Sequence, residues 1–176
     1  MRLWRRSKWL IFPGKSSKIM DNTENNAVPA KLHVKRLGRE LAMQFLFSCE
    51  MQNTVPGAEQ FDIFFEELLN EYKVNANRNF RKSGEYAREL YTLVVLHQDE
   101  LDSKLSVKCV NWEWSRVSPV ERNILRVALA EMLYLDDVPL VVSIDEAVEI
   151  TLDFSGDTGG QFVNGILNAV KDDLEQ

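Results

Sequence analysis

The residues best suited to bind a ligand form a basic row near the start of the sequence. The row consists of Lys31, Lys35, Arg36 and Arg39. At 100° per residue of an α-helix, these side chains fill one arc of about 140°. Lysine and arginine side chains gathered on one helix face are the groups that bind the phosphates of a polyanion. The row is therefore a candidate anion-binding surface, with an ordinary solvated helix face as the alternative.

An apolar stripe accompanies the basic row in the same segment. Val34, Leu37, Leu41 and Phe45 recur every three or four residues, which is typical of a helix face packed into a core. Because the stripe and the row occupy separate arcs, we expect the helix to bury the stripe and to point the row into solvent. Pairing of these cations with carboxylates of the domain interior would contradict that expectation.

The residue types that usually carry catalysis form no recognisable site. Two histidines and two cysteines provide no closely spaced set of metal ligands. Gly14-Lys15-Ser16 resembles the end of a phosphate-binding loop, but Trp9 stands where the first glycine of that motif belongs. We interpret the match as chance. The sequence thus predicts no metal or cofactor, and it favours a protein that is not an enzyme.

Charge is distributed unevenly along the 176 residues, whose formal net charge is −6. Residues 1–39 carry ten Lys or Arg and two Asp or Glu, whereas residues 40–176 carry eleven and twenty-five. A basic arm on an acidic body indicates a local electrostatic site. We interpret Cys49 and Cys109 as reduced, packed thiols, as in a cytoplasmic protein. No apolar run approaches the ~20 residues that span a bilayer, so no membrane partner is expected.

Residues 1–30 differ in character from the rest of the chain. They begin with basic residues, as a secretory signal does, but the apolar run at residues 9–12 is shorter than the ~7–15 residues such a signal needs. Residues 21–29 are polar. We predict a disordered extension over residues 1–30, with Met20 as a candidate for the true start and a genuine basic arm as the alternative. The folded domain is then residues 31–176.

Spacing of apolar residues by three and four predicts five or six helices and no strand meander. The first covers residues 31–50 and is followed by a loop at residues 53–57. A second helix continues to about Tyr72. Residues 75–84 are polar and basic, and we expect a long connector there.

The second half of the chain shows clearer boundaries. An apolar stripe from Tyr86 to Leu105 predicts one helix. Ser118-Pro119-Val120-Glu121 is a strong helix start, because serine caps, proline suits the first turn and glutamate can reach back. Residues 136–139 break that helix. Residues 138–144 allow a strand, but a helix is favoured. Gly156 is expected to interrupt the final helical segment.

Four single positions carry further expectations. Gly165 is expected to permit close backbone packing. Trp112 and Trp114 are expected to be packing residues at a helix junction. His97 lies on an apolar stripe, where a lone histidine is more often packed than catalytic.

Two stretches of the sequence resemble one protein family. They are GRELAMQFLF and NWEWSRVSPVERNILRVALAEMLYLDDVPLVVSIDEAVEI, the latter followed by QFVNGIL. Both resemble the NusB family of bacterial transcription antitermination factors, over roughly residues 33–170. The resemblance implies an all-α, compact two-subdomain helical bundle. It also implies binding to single-stranded boxA RNA of ribosomal RNA leader transcripts together with NusE, a small-subunit ribosomal protein, in a complex with RNA polymerase that promotes readthrough.

The resemblance also implies which residues act. The RNA-binding residues it implies are Lys31, Lys35, Arg36, Arg39, Gln161 and Phe162. The partner-binding residues it implies are Phe47, Glu121 and Arg126. The chain departs from the family where tyrosine is common, at Phe47, and where lysine is frequent, at Gln161. From the residues alone, the basic row can equally be a solvated face, Phe162 a core residue and Glu121 a capping residue.

Two other functions compete with antitermination. NusB-like modules also front some ribosomal RNA cytosine methyltransferases, so the chain can be an accessory domain in ribosomal RNA processing. It can also be a protein-interaction scaffold with weakened RNA binding. The thinned arginine motif keeps the scaffold interpretation open.

The basic row generates a salt-dependence prediction. If its four cations contact phosphates of a single strand, the logarithm of the RNA affinity should fall with that of the salt concentration at a slope near −3, since each contact contributes about 0.7. Replacing Lys35, Arg36 and Arg39 by Ala should then weaken RNA binding and leave thermal unfolding nearly unchanged. Fluorescence anisotropy across a KCl series measures the slope, and a value near zero would remove the row from the RNA site.

Overall fold

The computed structural model describes residues 30–71, 78–110 and 112–175, with the side chains of residues 30–33 and 71 outside that description. All regular secondary structure in this part of the chain is helical, which confirms the all-α prediction. The helices are α1 (Ala30–Gln52), α2 (Ala58–Glu71), α3 (Arg78–Leu96), α4 (Gln98–Ser106), α5 (Pro119–Tyr134) and α6 (Leu140–Leu174), with a short 3₁₀ helix at Trp114–Arg116.

Helix α5 is the centre of the bundle. Its consecutive residues 123–132 are all buried, because α1, α3, α4 and α6 pack around it. Most of these residues are apolar, and the three polar ones, Asn123, Arg126 and Glu131, each have hydrogen-bond partners. The first three helices pack on one another, the last three do likewise, and α5 joins the two groups through α1 and α3. This arrangement agrees with the expected two-subdomain bundle.

An aromatic cluster holds the first three helices together. Phe45 of α1 lies 5.1 Å from Phe61 of α2 and 4.8 Å from Tyr91 of α3, measured between ring centroids. Both contacts have the edge-to-face geometry that aromatic quadrupoles favour. Phe45 belongs to the apolar stripe predicted from the sequence, so the stripe does face the core.

Helices α1 and α3 approach closely at Gly38. A Cβ atom at this position would lie 2.7 Å from Cδ1 of Tyr86 and 3.1 Å from the carbonyl oxygen of Ser83. Only glycine leaves room for this contact. The approach places the Tyr86 ring beside the charged side chains of α1, which is important for the candidate site.

Helix α6 is two helical segments joined at Gly156. That residue has φ 76° and ψ −172°, a conformation open mainly to glycine. The break confirms the helix interruption expected at Gly156. It separates a first segment that packs against α5 from a second segment that carries Gln161 and Phe162.

Several local predictions are confirmed. The hydroxyl of Ser118 accepts a hydrogen bond from the Glu121 amide at 3.3 Å, with Pro119 in the first turn. Residues 53–57 lie outside any helix and residues 140–144 are helical. Cys49 and Cys109 are both free and buried, and burial raises the pKa of each thiol.

The long connector predicted at residues 75–84 is wrong from Arg78 onward. Helix α3 begins there, and Phe80, Ser83 and Gly84 are buried in its first turns. Small and polar residues make up most of this buried face, so hydrophobic spacing did not reveal it. Residues 72–77 lie outside the described part of the chain, as do residues 1–29 of the extension predicted over residues 1–30, and Ala30 is the first residue of α1.

Three smaller expectations also need correction. The stripe from Tyr86 to Leu105 is split at His97, which separates α3 from α4 and stacks on Tyr134 at 4.2 Å. Trp114 packs against the core, but Trp112 is 60% exposed. Gly165 is exposed and a Cβ there would meet nothing within 4 Å. Close backbone packing occurs at Gly38 instead.

Leu41 provides a test of the packing of α1. The side chain is fully buried, so Leu41→Ala should lower the free energy of unfolding by about 2–5 kcal/mol through lost contacts and a residual cavity. Urea denaturation measures the change. Val141→Ala is the matched control, because Val141 is 54% exposed and its truncation should cost little. Similar losses for the two variants would contradict the packing described here.

Candidate nucleic-acid interface

The described cations of the basic row are all paired with carboxylates. Nζ of Lys35 lies 2.8 Å from Oδ2 of Asp137. Arg36 donates to Glu40 at 2.7 Å and to Asp153 at 3.0 Å, and Glu146 lies 3.6 Å from it. The row therefore faces the turn after α5 and the first segment of α6, where these acids lie, with Glu40 on α1 itself.

Arg39 forms the most buried of these pairs. Its Nε donates to both carboxylate oxygens of Glu131, at 2.9 and 3.0 Å. The hydroxyl of Ser143 donates to the same carboxylate at 2.5 Å, and the phenol of Tyr86 also donates to it. Four helices, α1, α3, α5 and α6, thus meet at one carboxylate whose side chain is 0% exposed.

Burial controls protonation in this network. Burial, followed by the negative charge of Glu131, raises the pKa of Tyr86 far above its usual range, so the phenol keeps the proton that it donates. Burial also raises the pKa of Glu40, although Arg36 opposes the shift. Desolvation disfavours the charged form of a carboxylate, and here it outweighs the neighbouring cation.

The expectation that the basic row points into solvent is wrong for its three described cations. The side chain of Arg39 is 3% exposed, and those of Lys35 and Arg36 are each 18% exposed. Angular spacing on a helix separates two faces but does not say what packs on the second face. Here α3 and α5 pack on α1, and Glu146 and Asp153 of α6 pair with Arg36. The three cations meet five carboxylates, a net charge of −2 when all are ionised.

For one of the three cations, pairing with an interior carboxylate argues against phosphate binding. Arg39 is held by the interior carboxylate of Glu131, so it is not free for a polyanion. Lys35 differs, because its partner Asp137 is 64% exposed. Lys31 lies one turn earlier on α1, with its side chain outside the description. Because Arg39 is buried against Glu131, we now expect its replacement by Ala to lower stability, in place of the nearly unchanged unfolding expected from the sequence.

Gln161 and Phe162 lie on the second segment of α6. Gln161 is exposed, and Phe162 is half-buried and packs against the core. In the described part of the chain, no hydrogen bond, ion pair or ring contact joins either residue to the basic row. The connection is through the helix itself, since Asp153 precedes the Gly156 break and binds Arg36.

The three predicted partner-binding residues lie in different environments. Phe47 is half-buried against the core. Glu121 is in the first turn of α5, and Oε1 of its carboxylate lies 2.7 Å from the position of a Cβ on Gly159. Arg126 is buried, donates to both oxygens of Asp102 at 2.7 Å and lies over the Trp114 ring at 5.9 Å. Arg126 therefore has a structural role in this state.

The sequence contains one signal for the residues that were missed. Glu131 stands inside the apolar run of α5, where every neighbour is expected to be buried. A carboxylate in such a run needs a buried cationic partner, but helical spacing does not single out Arg39 as that partner. Ser143, Glu146 and Asp153 gave no comparable signal, because each also suits an ordinary helix surface. Tyr86 was predicted only as part of an apolar stripe.

Two kinds of site are not found in the part of the chain that the structure describes. No group of three or more His, Cys, Asp or Glu side chains is arranged to hold a metal ion. Across residues 30–71, 78–110 and 112–175, no helix combines the length and apolar character needed to cross a membrane.

Sequence comparison identifies a family over most of the chain. A profile of the NusB family matches residues 36–172. The transcription antitermination protein NusB of Desulfotalea psychrophila (strain LSv54 / DSM 12343) is 39% identical over 143 residues, which are 80% of this chain and 96% of that protein. The NusB of Bacillus subtilis (strain 168) is 35% identical over 142 residues, which are 81% and 98%.

Solved structures show the same fold. T. maritima NusB matches with a TM-score of 0.63 and 29% identity, covering 86% of this chain and all of that one. A chain in the crystal structure of antitermination factors NusB and NusE in complex with dsRNA matches with a TM-score of 0.65 and 26% identity. That match covers 80% of this chain and 97% of the other.

The Arg39–Glu131 pair generates a stability prediction. Arg39→Ala should lower the free energy of unfolding by about 3–5 kcal/mol, because it leaves a buried carboxylate without its cation. Lys35→Ala is the matched control and should cost under about 1 kcal/mol, because its partner is exposed. Chemical denaturation of both variants measures the difference. Equal, small losses would mean that the buried pair does not stabilise the fold.

Proposed function

This chain belongs to the NusB family, and we propose that it acts in the cytoplasm by binding boxA-type RNA of ribosomal RNA leader transcripts together with NusE. In the proposed complex it joins elongating RNA polymerase and promotes readthrough of ribosomal RNA operons. The proposed activity is binding, without catalysis. The observation that carries the proposal is the likeness to a chain in the structure of antitermination factors NusB and NusE with dsRNA, which extends over 97% of that chain.

For the RNA phosphates, the best-supported contacts are Lys35 and Arg36. Both side chains keep part of their surface exposed, and Lys31 one turn earlier completes the proposed set. Arg39 is better placed to position α1 than to touch RNA, because its guanidinium would have to leave Glu131. With three phosphate contacts in place of four, the expected salt slope is closer to −2 than to −3.

For the RNA bases, we propose Phe162 and Gln161. An aromatic side chain at the surface of a helix can stack on an unpaired base, which is worth about 1–3 kcal/mol per base. The Phe162 ring is half-buried, which fixes its orientation at little entropic cost. Gln161 precedes it and is exposed, so its amide can reach a base edge.

For NusE, we propose Phe47 and Glu121. Each leaves part of its side chain accessible. Glu121 also lies against Gly159 of α6, so the proposed partner surface adjoins the segment that carries the proposed base contacts. Arg126 supports this surface from beneath through Asp102, in place of the direct contact predicted from the sequence.

A protein-interaction scaffold with weak RNA binding is the second candidate. The observation that favours it is the charge of the α1 network, in which five carboxylates outnumber three cations. Such a surface repels a polyanion unless other contacts compensate. The proposed role as an accessory domain in ribosomal RNA processing has no comparable support.

An RNA-binding assay with and without NusE tests the proposed function. Three labelled RNAs of equal length are compared, namely single-stranded boxA, a scrambled strand and a duplex. We expect the boxA strand to bind tightest and NusE to strengthen that binding, because base contacts carry sequence preference and phosphate contacts do not. NusE alone is the control. If NusE binds the protein but boxA shows no preference over the scrambled strand, the scaffold function replaces the proposed one.

A further inference from the structure

The ion pairs of α1 differ in how easily a ligand can open them. Glu131 is fully buried and Arg39 nearly so, which closes that pair to solvent. Arg36 is held by three carboxylates at once. The pair of Lys35 with Asp137 is the accessible one, because the Asp137 carboxylate is 64% exposed and lies in the turn between α5 and α6.

Lys35 is also well suited to exchange one anion for another. Its ammonium donates to Oδ2 of Asp137 at 2.8 Å and lies 4.9 Å from the centroid of the Tyr86 ring. The ring gives the ammonium a fixed position without using its donors. An ammonium is a point charge on a flexible stem, so it can turn from a carboxylate to a phosphate without reorganising the helix.

We propose that Asp137 limits the RNA affinity of this protein by occupying Lys35 in competition with an RNA phosphate. This inference rests on the proposed function and goes beyond it by assigning a regulatory role to a carboxylate. RNA must displace Asp137 before Lys35 can bind a phosphate. The free energy lost with the ion pair therefore weakens every RNA complex that uses Lys35.

The competition has a definite signature, because a phosphate contact does not read sequence. Asp137 should weaken the binding of boxA RNA and scrambled RNA by the same factor. An exposed ion pair contributes little to stability, and opening it corresponds to about a two- to fivefold change in affinity. A weak competitor of this kind makes binding depend more on base contacts and on NusE.

The experiment compares Asp137→Asn with Asp136→Asn. Asp136 is also exposed and carries the same charge one residue away, but no ion pair or hydrogen bond of its side chain is found in the described ranges. In the presence of NusE, Asp137→Asn should tighten both RNAs about two- to fivefold, because Lys35 then binds a phosphate without first losing its ion pair. Asp136→Asn should change affinity by clearly less.

The same comparison in a Lys35→Ala variant tests whether Lys35 is the cation that Asp137 occupies. In Lys35→Ala protein, adding Asp137→Asn should give no gain beyond that of Asp136→Asn. Thermal unfolding of each variant checks that the exposed substitutions leave the fold intact.

The outcomes separate the two proposals. If wild-type protein binds boxA RNA but Asp137→Asn behaves like Asp136→Asn, the competition is overturned and the proposed function stands. A gain that persists without Lys35 also overturns it. If neither wild type nor Asp137→Asn binds RNA with NusE, both proposals fail. Binding by Asp137→Asn alone would support the competition.

Discussion

One buried carboxylate organises this protein. Glu131 lies at the centre of the bundle, and withdrawing its charge from water is costly. Arg39, Tyr86 and Ser143 each donate a hydrogen bond to it from a different helix. Because every donor must be in place at once, the network fixes how α1, α3 and α6 sit around α5. The close approach at Gly38 serves the same end, since it brings the Tyr86 phenol within reach.

The same network changes how the basic row relates to RNA. Cations at the start of α1 serve first to bind the domain's own acids, and only the partly exposed ones remain available to a ligand. In the proposed RNA complex, a network of this kind would hold the phosphate-binding groups in fixed positions and lower the intrinsic affinity. Dependence on a second protein for tight RNA binding is a natural result. The family assignment and the charge balance are therefore compatible, although the balance alone argues against RNA.

The sequence predicted the parts of the fold that depend on local patterns. Apolar spacing located α1, and Ser118-Pro119 located the start of α5, because these signals lie within a single turn of helix. It did not reveal the start of α3, where the buried face includes Ser83 and Gly84. The candidate site was harder still. A helical projection placed Arg39 on the same helix face as the other cations of the basic row. It could not show the partner of Arg39, because Glu131 is 92 residues away in sequence and only the fold brings the two together.

The break at Gly156 constrains the chain in a way that crowding does not. A Cβ atom there would touch nothing within 4 Å, so the requirement for glycine comes from the torsion angle φ alone. Handedness, and not size, is what the position selects. A D-alanine introduced by chemical synthesis should fit where L-alanine strains the backbone. The direction in which the second segment of α6 presents Phe162 thus depends on Gly156, the one residue type without a chiral Cα.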